Sequence, residues 1–220
     1  SNVIQLNNTA NLKDIVPAII DSVQIAASND ILQIFFNEKV FSKNDGSGAL
    51  DSSDFSFSLS GGEATLTKKY PTSISGSGTK VLSLGVLLTG NPNGEEVLTV
   101  SPKANAVYDE RGNLTKASQS NNTIQLTDKL LPFFKGGALA PSNASLSVTF
   151  NEKVYAKNNA TGPLEVADFE LSIAGGTATL SKSTPDSVGI VGNTYSLGLP
   201  LVGLASGSEK LTVKPKSAAI

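Results

Sequence analysis

Cysteine, histidine, methionine and tryptophan are all missing from the 220 residues. Without cysteine there is no disulfide, no thiolate nucleophile and no sulfur-based zinc site. Without histidine the commonest general base and transition-metal ligand is gone, and a serine nucleophile has no imidazole to activate it. Charge is sparse as well. Charged residues make up 16% of the chain, and the 17 basic and 19 acidic groups leave a net charge of −2, with no basic stripe. That balance argues against nucleic acid as a partner, because phosphate binding needs a concentrated basic face. No apolar run approaches the roughly 18 residues of a membrane-spanning helix.

The composition that remains is 39% hydrophobic, with 20 glycines and abundant serine and threonine. It is too apolar for a disordered tail and too rich in glycine and serine for a helical bundle. Small polar residues mixed with aliphatic and β-branched ones suit sandwiches or barrels. The length fits one or two domains, each large enough to bury a core.

The chain repeats itself. The stretch FNEKVFSKN at 36–44 returns as FNEKVYAKN at 150–158, and over 36–71 against 150–185, 19 of 36 positions are identical, too many for chance. Asp54-Phe55 matches Asp168-Phe169, Gly61-Gly62 matches Gly175-Gly176, and Ala64-Thr65-Leu66 matches Ala178-Thr179-Leu180. One deletion later, Ser83-Leu84-Gly85 matches Ser196-Leu197-Gly198, and Leu98-Thr99-Val100 matches Leu211-Thr212-Val213. A repeat of this kind predicts one supersecondary unit written twice.

Within each copy the apolar period is two. Leu32, Ile34 and Phe36 share a face, as do Leu146, Val148 and Phe150. Phe55, Phe57 and Leu59 alternate with serines, and Phe169, Leu171 and Ile173 keep that phase. This is the signature of strands with one buried face. Turn residues separate the runs, at Asn44-Asp45-Gly46, Gly61-Gly62, Asn91-Pro92-Asn93-Gly94 and Arg111-Gly112-Asn113. Some seven short strands per copy predict an all-β chain of two tandem immunoglobulin-like antiparallel β-sandwich domains. Pro17 and Pro132 precede the first strand of each copy and mark the boundaries. The domains are then 15–127 and 128–220, after a leading stretch, 1–14, that holds the closing strand of a preceding copy and a linker. The evidence for that stray strand is Asn2-Val3-Ile4-Gln5-Leu6, which resembles Asn122-Thr123-Ile124-Gln125-Leu126 at the close of copy one. Copy two stops at Ile220 before any such strand, so 2–6 is expected to pair with an exposed sheet edge. In a second phasing, the domains run from closing strand to Leu211-Thr212-Val213, which makes both copies complete and Pro17 and Pro132 internal.

The order of signals resembles the bacterial Ig-like repeats of surface-layer proteins, large adhesins and long surface repeat proteins. It rests on Phe36-Asn37-Glu38-Lys39-Val40, Asp54-Phe55, Leu98-Thr99-Val100 and Asp109-Glu110-Arg111-Gly112-Asn113, of which copy two carries the first three. The resemblance implies an extracellular or cell-surface location and a non-catalytic structural or spacer role in adhesion or surface coating. The partners it implies are an unidentified surface ligand or neighbouring repeats of the same chain. The alternative is an accessory carbohydrate-binding module of a secreted polysaccharide-degrading enzyme. That function needs exposed aromatics, for which Tyr70, Tyr108, Tyr155 and Tyr195 are the candidates.

Two acidic regions invite a calcium reading, since calcium takes six to eight oxygens from such loops. In the first, Glu38 would be a ligand together with Asp45, Asp51 and Asp54. Copy two offers Glu152 with Asn158, Glu165 and Asp168, but has Asn159 in place of Asp45. In the second, Asp109 and Asn113 would hold a cation near the domain junction, with Asp128 and Asp14 as linker carboxylates. Each has a structural counterpart: Glu38 caps backbone N–H groups, Asp54 opens a turn, and Asp109 bonds its own backbone around a left-handed Gly112. Catalytic motifs are isolated. Ser77-Gly78-Thr79-Lys80 spells Ser-x-x-Lys in a glycine-rich turn, without the accompanying motifs of the enzymes that use it.

Overall fold

The computed structural model describes residues 9–216, so the pairing expected of 2–6 lies outside the described residues. The chain is all-β, with antiparallel sheets throughout, and divides into two compact units, 1–130 and 131–220. The division falls three residues beyond the boundary expected from sequence. The reason is local: the N–H groups of Lys129 and Leu130 both donate to the Pro92 carbonyl, at 2.7 and 3.0 Å, and tie 128–130 to the first unit. Residues 9–19 contain no regular structure.

Unit 1 begins with β1 (Ile20–Ile25), β2 (Ile31–Phe36) and the two-residue β3 (Val40–Phe41). A 3-10 turn at Ser52–Asp54 leads into β4 (Phe55–Ser60), followed by β5 (Thr65–Leu66), β6 (Ile74–Ser75), β7 (Val81–Gly85) and β8 (Leu88–Thr89). The unit ends with β9 (Val97–Pro102), β10 (Tyr108–Asp109) and β11 (Thr123–Gln125). One sheet has the order β1-β2-β7-β6 and another β11-β9-β4, with the small pairs β3/β10 and β5/β8 alongside. The two-residue strands are the ones the apolar period does not announce, being too short to show an alternation.

The alternating residues meet in one core. Leu32, Ile34, Leu82 and Leu84 from the first sheet and Phe55, Leu98 and Val100 from the second are each 0% exposed and belong to one cluster. Closing strand β11 pairs with β9 in the register Ile124↔Leu98 and completes this core with Leu126.

Unit 2 holds β12 (Phe134–Leu139), β13 (Ser145–Phe150), β14 (Phe169–Ala174), β15 (Thr179–Leu180), β16 (Val188–Val191), β17 (Thr194–Gly198), β18 (Leu201–Val202) and β19 (Lys210–Pro215). Its larger sheet runs β12-β13-β17-β16, in the same order as β1-β2-β7-β6. The register break between Ile20 and Ser22 on β1 recurs between Phe134 and Gly136 on β12. A separate core gathers around Val148, Phe150, Phe169 and Leu197. Here aromatic stacking replaces aliphatic packing. The ring of Phe150 lies 4.7 Å from that of Phe134 and 5.6 Å from that of Tyr195, centroid to centroid. The buried Tyr195 hydroxyl finds the Val154 carbonyl at 3.4 Å, as a buried phenol requires.

Phe55 and Phe169 sit at the centre of their respective cores. Truncating either to alanine is expected to cost about 3–5 kcal/mol. Denaturant melts should show Phe55→Ala shifting the transition of unit 1 and Phe169→Ala that of unit 2.

Candidate carboxylate sites

Pairing of β3 with β10 sets Asp109 opposite Val40, two residues beyond Glu38. The linker returns over the same place, because the Ile19 N–H donates to Asn37 Oδ1 at 2.8 Å and Asn37 N–H donates back to the Ile19 carbonyl at 3.1 Å. The result is a trio: one carboxylate oxygen each from Asp14, Glu38 and Asp109 lies within 4.8 Å of the others. Asp14 is exposed, Glu38 half-buried and Asp109 buried. Asp109 is also the hub of its turn. Its Oδ1 accepts from the N–H groups of Arg111 and Asn113, at 2.7 and 2.9 Å, and its Oδ2 accepts from Asn113 Nδ2 at 2.7 Å. Asn113 Nδ2 further reaches the Asp14 carbonyl at 3.3 Å. Gly112 has φ +85°, and a Cβ there would run into the Asn44 carbonyl, so glycine is required.

Electrostatics at the trio are repulsive. Partial burial pushes the Glu38 carboxyl above its ordinary range, and the charges of Asp109 and Asp14 add to this, against the Asn37 amide and the Lys80 ammonium. All the donors are oxygen, the chemistry of a hard cation such as calcium rather than zinc or copper.

The remaining acidic candidates have separate duties. Asp45 Oδ1 accepts from the Ser47 N–H at 3.0 Å and from its hydroxyl, and that hydroxyl bond, ahead of other effects, holds Asp45 below the usual range. Asp51 caps the 3-10 turn by accepting from Ser53 N–H at 2.6 Å, and Asp54 Oδ2 accepts from Asp51 N–H at 2.8 Å. Asp128 Oδ1 accepts from Leu130 N–H at 2.9 Å, repeating the Asp14 to Val16 turn. The structure thus brings Glu38 together with Asp109 and Asp14, and not with Asp45, Asp51 and Asp54, which fold back on their own loop. In unit 2, Asn151 Nδ2 donates to Glu152 Oε1 at 3.1 Å, and Glu165 and Asp168 form a second 3-10 capping turn. Ser77 Oγ accepts from Leu50 N–H at 2.8 Å, and Lys80 Nζ donates to the Asn37 carbonyl at 2.7 Å, so the Ser-x-x-Lys residues serve the backbone.

Two further carboxylates emerge that the sequence reading passed over. Glu96, 0% exposed, lies just before β9, and its Oε1 accepts the N–H groups of Glu63 at 2.8 Å and Ala64 at 2.9 Å, while Oε2 takes that of Asn93 at 3.0 Å. Glu209 does the same before β19, accepting from the N–H groups of Thr177, Ala178, Ser206 and Gly207. The sequence did carry a signal. Glu96 falls in phase with buried Leu98 and Val100, and Glu209 stands at the same offset of 113 as the rest of that segment. A carboxylate in the inward phase of a strand must find donors. Gly62 and Gly176, at φ +60° and +61°, make room, since a Cβ at either would collide with the glutamate.

The two kinds of site titrate with opposite sign. Burial pushes Glu96 up, but the amides of Ala64 and Glu63, its own amide and that of Asn93 outweigh it and leave the carboxyl below its ordinary range. The Ala178 and Ser206 amides hold Glu209 far lower still. A depressed folded-state pKa gives stability that is present above the unfolded value of about 4.3 and is lost as pH falls through the folded one. Glu96→Gln should therefore cost about 1–3 kcal/mol at neutral pH. Its melting curve should converge on that of the parent in acid. Glu38, with its raised pKa, destabilises the fold once ionised, so Glu38→Gln should raise the melting temperature at neutral pH and leave it unchanged below the ordinary glutamate range. Melts across the acid-to-neutral range check both.

Comparison with family models, with curated proteins and with solved structures gives no match in any of the three.

Proposed function

We propose that this chain is a pair of immunoglobulin-like repeats with a structural, spacing role in a secreted or surface-anchored bacterial protein. The observation that carries the reading is recurrence. The same order of strands in the larger sheet, the same register break and the same glutamate-capped turn occur twice, each around its own core. A module written in tandem gains length with each copy, and length is what a spacer supplies. Fold alone does not assign function, and the surface supports this reading over the carbohydrate-binding one. Among the described residues, Tyr70 is the exposed aromatic of unit 1 and Phe133 that of unit 2. Tyr195 is buried, and Tyr108 and Tyr155 are half-buried. A sugar platform stacks rings on more than one exposed aromatic, and a single exposed aromatic per unit gives a poor one. Adhesion through a distal part of a longer protein fits this surface better.

Calcium enters the proposal through Asp14, Glu38 and Asp109. Their donor chemistry suits it, and a bound divalent ion would neutralise the repulsion that raises Glu38 and would pin the linker to the turn at 109–113.

Three measurements test the reading. Antibodies raised against the chain should label intact cells of the source organism, and labelling only after permeabilisation would overturn a surface location. A glycan array should show no retention, whereas selective capture of one polysaccharide would favour the accessory-module reading. Millimolar calcium should raise the melting temperature of unit 1 by several degrees, reversibly with chelator. Glu38→Gln should abolish that rise, and an unchanged melt in the native chain would remove calcium from the proposal.

A further inference from the structure

The turn that caps the buried glutamate is built differently in the two units. In unit 1 the N–H of Asn93 donates to Glu96 Oε2 at 3.0 Å, and Asn93 Oδ1 accepts the N–H of Glu95 at 3.0 Å. In unit 2 Ser206 stands in place of Asn93, and both turn amides serve the glutamate. The N–H of Ser206 donates to Glu209 Oε1 and that of Gly207 to Glu209 Oε2, each at 3.0 Å. Gly94, the counterpart of Gly207, has no acceptor for its N–H among the described residues.

Asn93-Gly94 is the one asparagine–glycine pair in the sequence, and that dipeptide carries its own chemistry. The side-chain amide of asparagine is electrophilic at Cγ, and the backbone nitrogen of the next residue can attack it to close a succinimide ring. Asparagine is for this reason among the thermolabile residues. A side chain on the following residue hinders the attack, and glycine has none. The turn favours the reaction further. The bond from the Glu95 N–H draws electron density from the Asn93 side-chain carbonyl, and it closes an Asx-turn, a ring of which the Gly94 nitrogen is a member. Both residues are half-buried, so water reaches them. The comparable pairs lack these features. Ser206-Gly207 has no side-chain amide, and its glycine N–H is held by Glu209. In Asp45-Gly46 the glycine N–H donates to the Lys43 carbonyl at 3.3 Å.

We propose that Asn93 is a site of spontaneous, one-way modification that ages unit 1 and spares the matching turn of unit 2. The Gly94 nitrogen gives up its proton to solvent and bonds to Asn93 Cγ. The Cγ–Nδ2 bond breaks, and Nδ2 leaves as ammonia. Water then opens the succinimide. Addition at Cγ gives aspartate with the original main chain. Addition at the Asn93 backbone carbonyl carbon gives isoaspartate, in which the main chain runs through Cβ and Cγ. By either route asparagine and water become an acid and ammonia, and no other reactant is consumed.

The place of the turn makes the change consequential. Both products put a carboxylate into the turn whose amides stabilise the charge of fully buried Glu96, and a like charge nearby disfavours the ionised form. Isoaspartate also adds a methylene to the main chain between Pro92 and Gly94. Each of these neighbours holds the end of unit 1. The Pro92 carbonyl accepts the N–H groups of Lys129 and Leu130, at 2.7 and 3.0 Å, and the Gly94 carbonyl accepts Gln125 Nε2. Conversion therefore loosens residues 128–130 from the turn together with the Glu96 clamp.

The test ages the full chain in warm, mildly alkaline buffer made with 18O water. Peptide mapping by mass spectrometry should find residue 93 converting ahead of every other asparagine, to a mixture of aspartate and isoaspartate that carries the heavy oxygen. In the isoaspartate fraction, hydrogen exchange should quicken at the amides of Ala64, Lys129 and Leu130 and stay unchanged at Ala178 and Ser206. Asn93→Ser, the residue that unit 2 carries, should keep its exchange pattern through the same ageing. A folded chain that retains Asn93 while the urea-unfolded chain converts it would overturn the proposal, because the turn would then protect the amide. So would conversion that leaves exchange at Lys129 and Leu130 unaltered, or quickened exchange there in aged Asn93→Ser.

Discussion

A strand buried on one face has to satisfy its backbone on both edges and cover its apolar row, and nearly everything in this molecule follows from that requirement. With no cysteine in the chain, no disulfide can take over any part of that task. In unit 1 the requirement is met completely. The strand Thr123–Gln125 supplies the missing edge, Leu126 closes the core, and Asn29 locks the residue after it. Burial of Leu98 and Val100 is therefore a consequence of a strand more than twenty positions away, not of their own segment.

Polar groups are disposed by the same logic. Glu96 and Glu209 enter the inward phase of a strand and are tolerated because a tight glycine turn points its amides at them. Hydrogen bonds to the charged form outweigh the cost of removing a carboxylate from water. Glu38 shows the reverse balance. It meets two other carboxylates where linker, strand and turn converge, with Lys80 the nearby charge that opposes them. In one class of carboxylate the surrounding amides favour the charged form, and in the other burial and neighbouring charges disfavour it.

Much of the fold could be read from residue order. The period-two rows at Leu32-Ile34-Phe36 and Phe55-Phe57 became the buried faces, and the left-handed turn at Gly112 with Asp109 as its hub took the form its composition implies. The short pairs β3/β10 and β5/β8 escaped notice because two residues carry no periodicity. That loss mattered for the site. Without the β3/β10 pairing, sequence order places Glu38 with its neighbours Asp45, Asp51 and Asp54, whose short side chains bond their own loop, while its spatial partners lie on a distant strand and before β1. Glu96 is hidden for a different reason: one of two adjacent acids beside turn residues has the composition of a surface, and only its phase with Leu98 marks it as inward.

The glycine turn and its glutamate also form a unit of inheritance. A side chain at Gly62 would displace the carboxylate of Glu96, and loss of the carboxylate would strand the amides of Glu63 and Ala64 in the core's margin. Neither position can drift alone. Glu96 follows Gly62 by 34 positions, and Glu209 follows Gly176 by 33. In sequences too diverged for their apolar rows to align, a Gly-Gly pair followed at about that interval by a glutamate two residues before an aliphatic-x-aliphatic strand would mark the same module, because the glycine and the glutamate constrain each other.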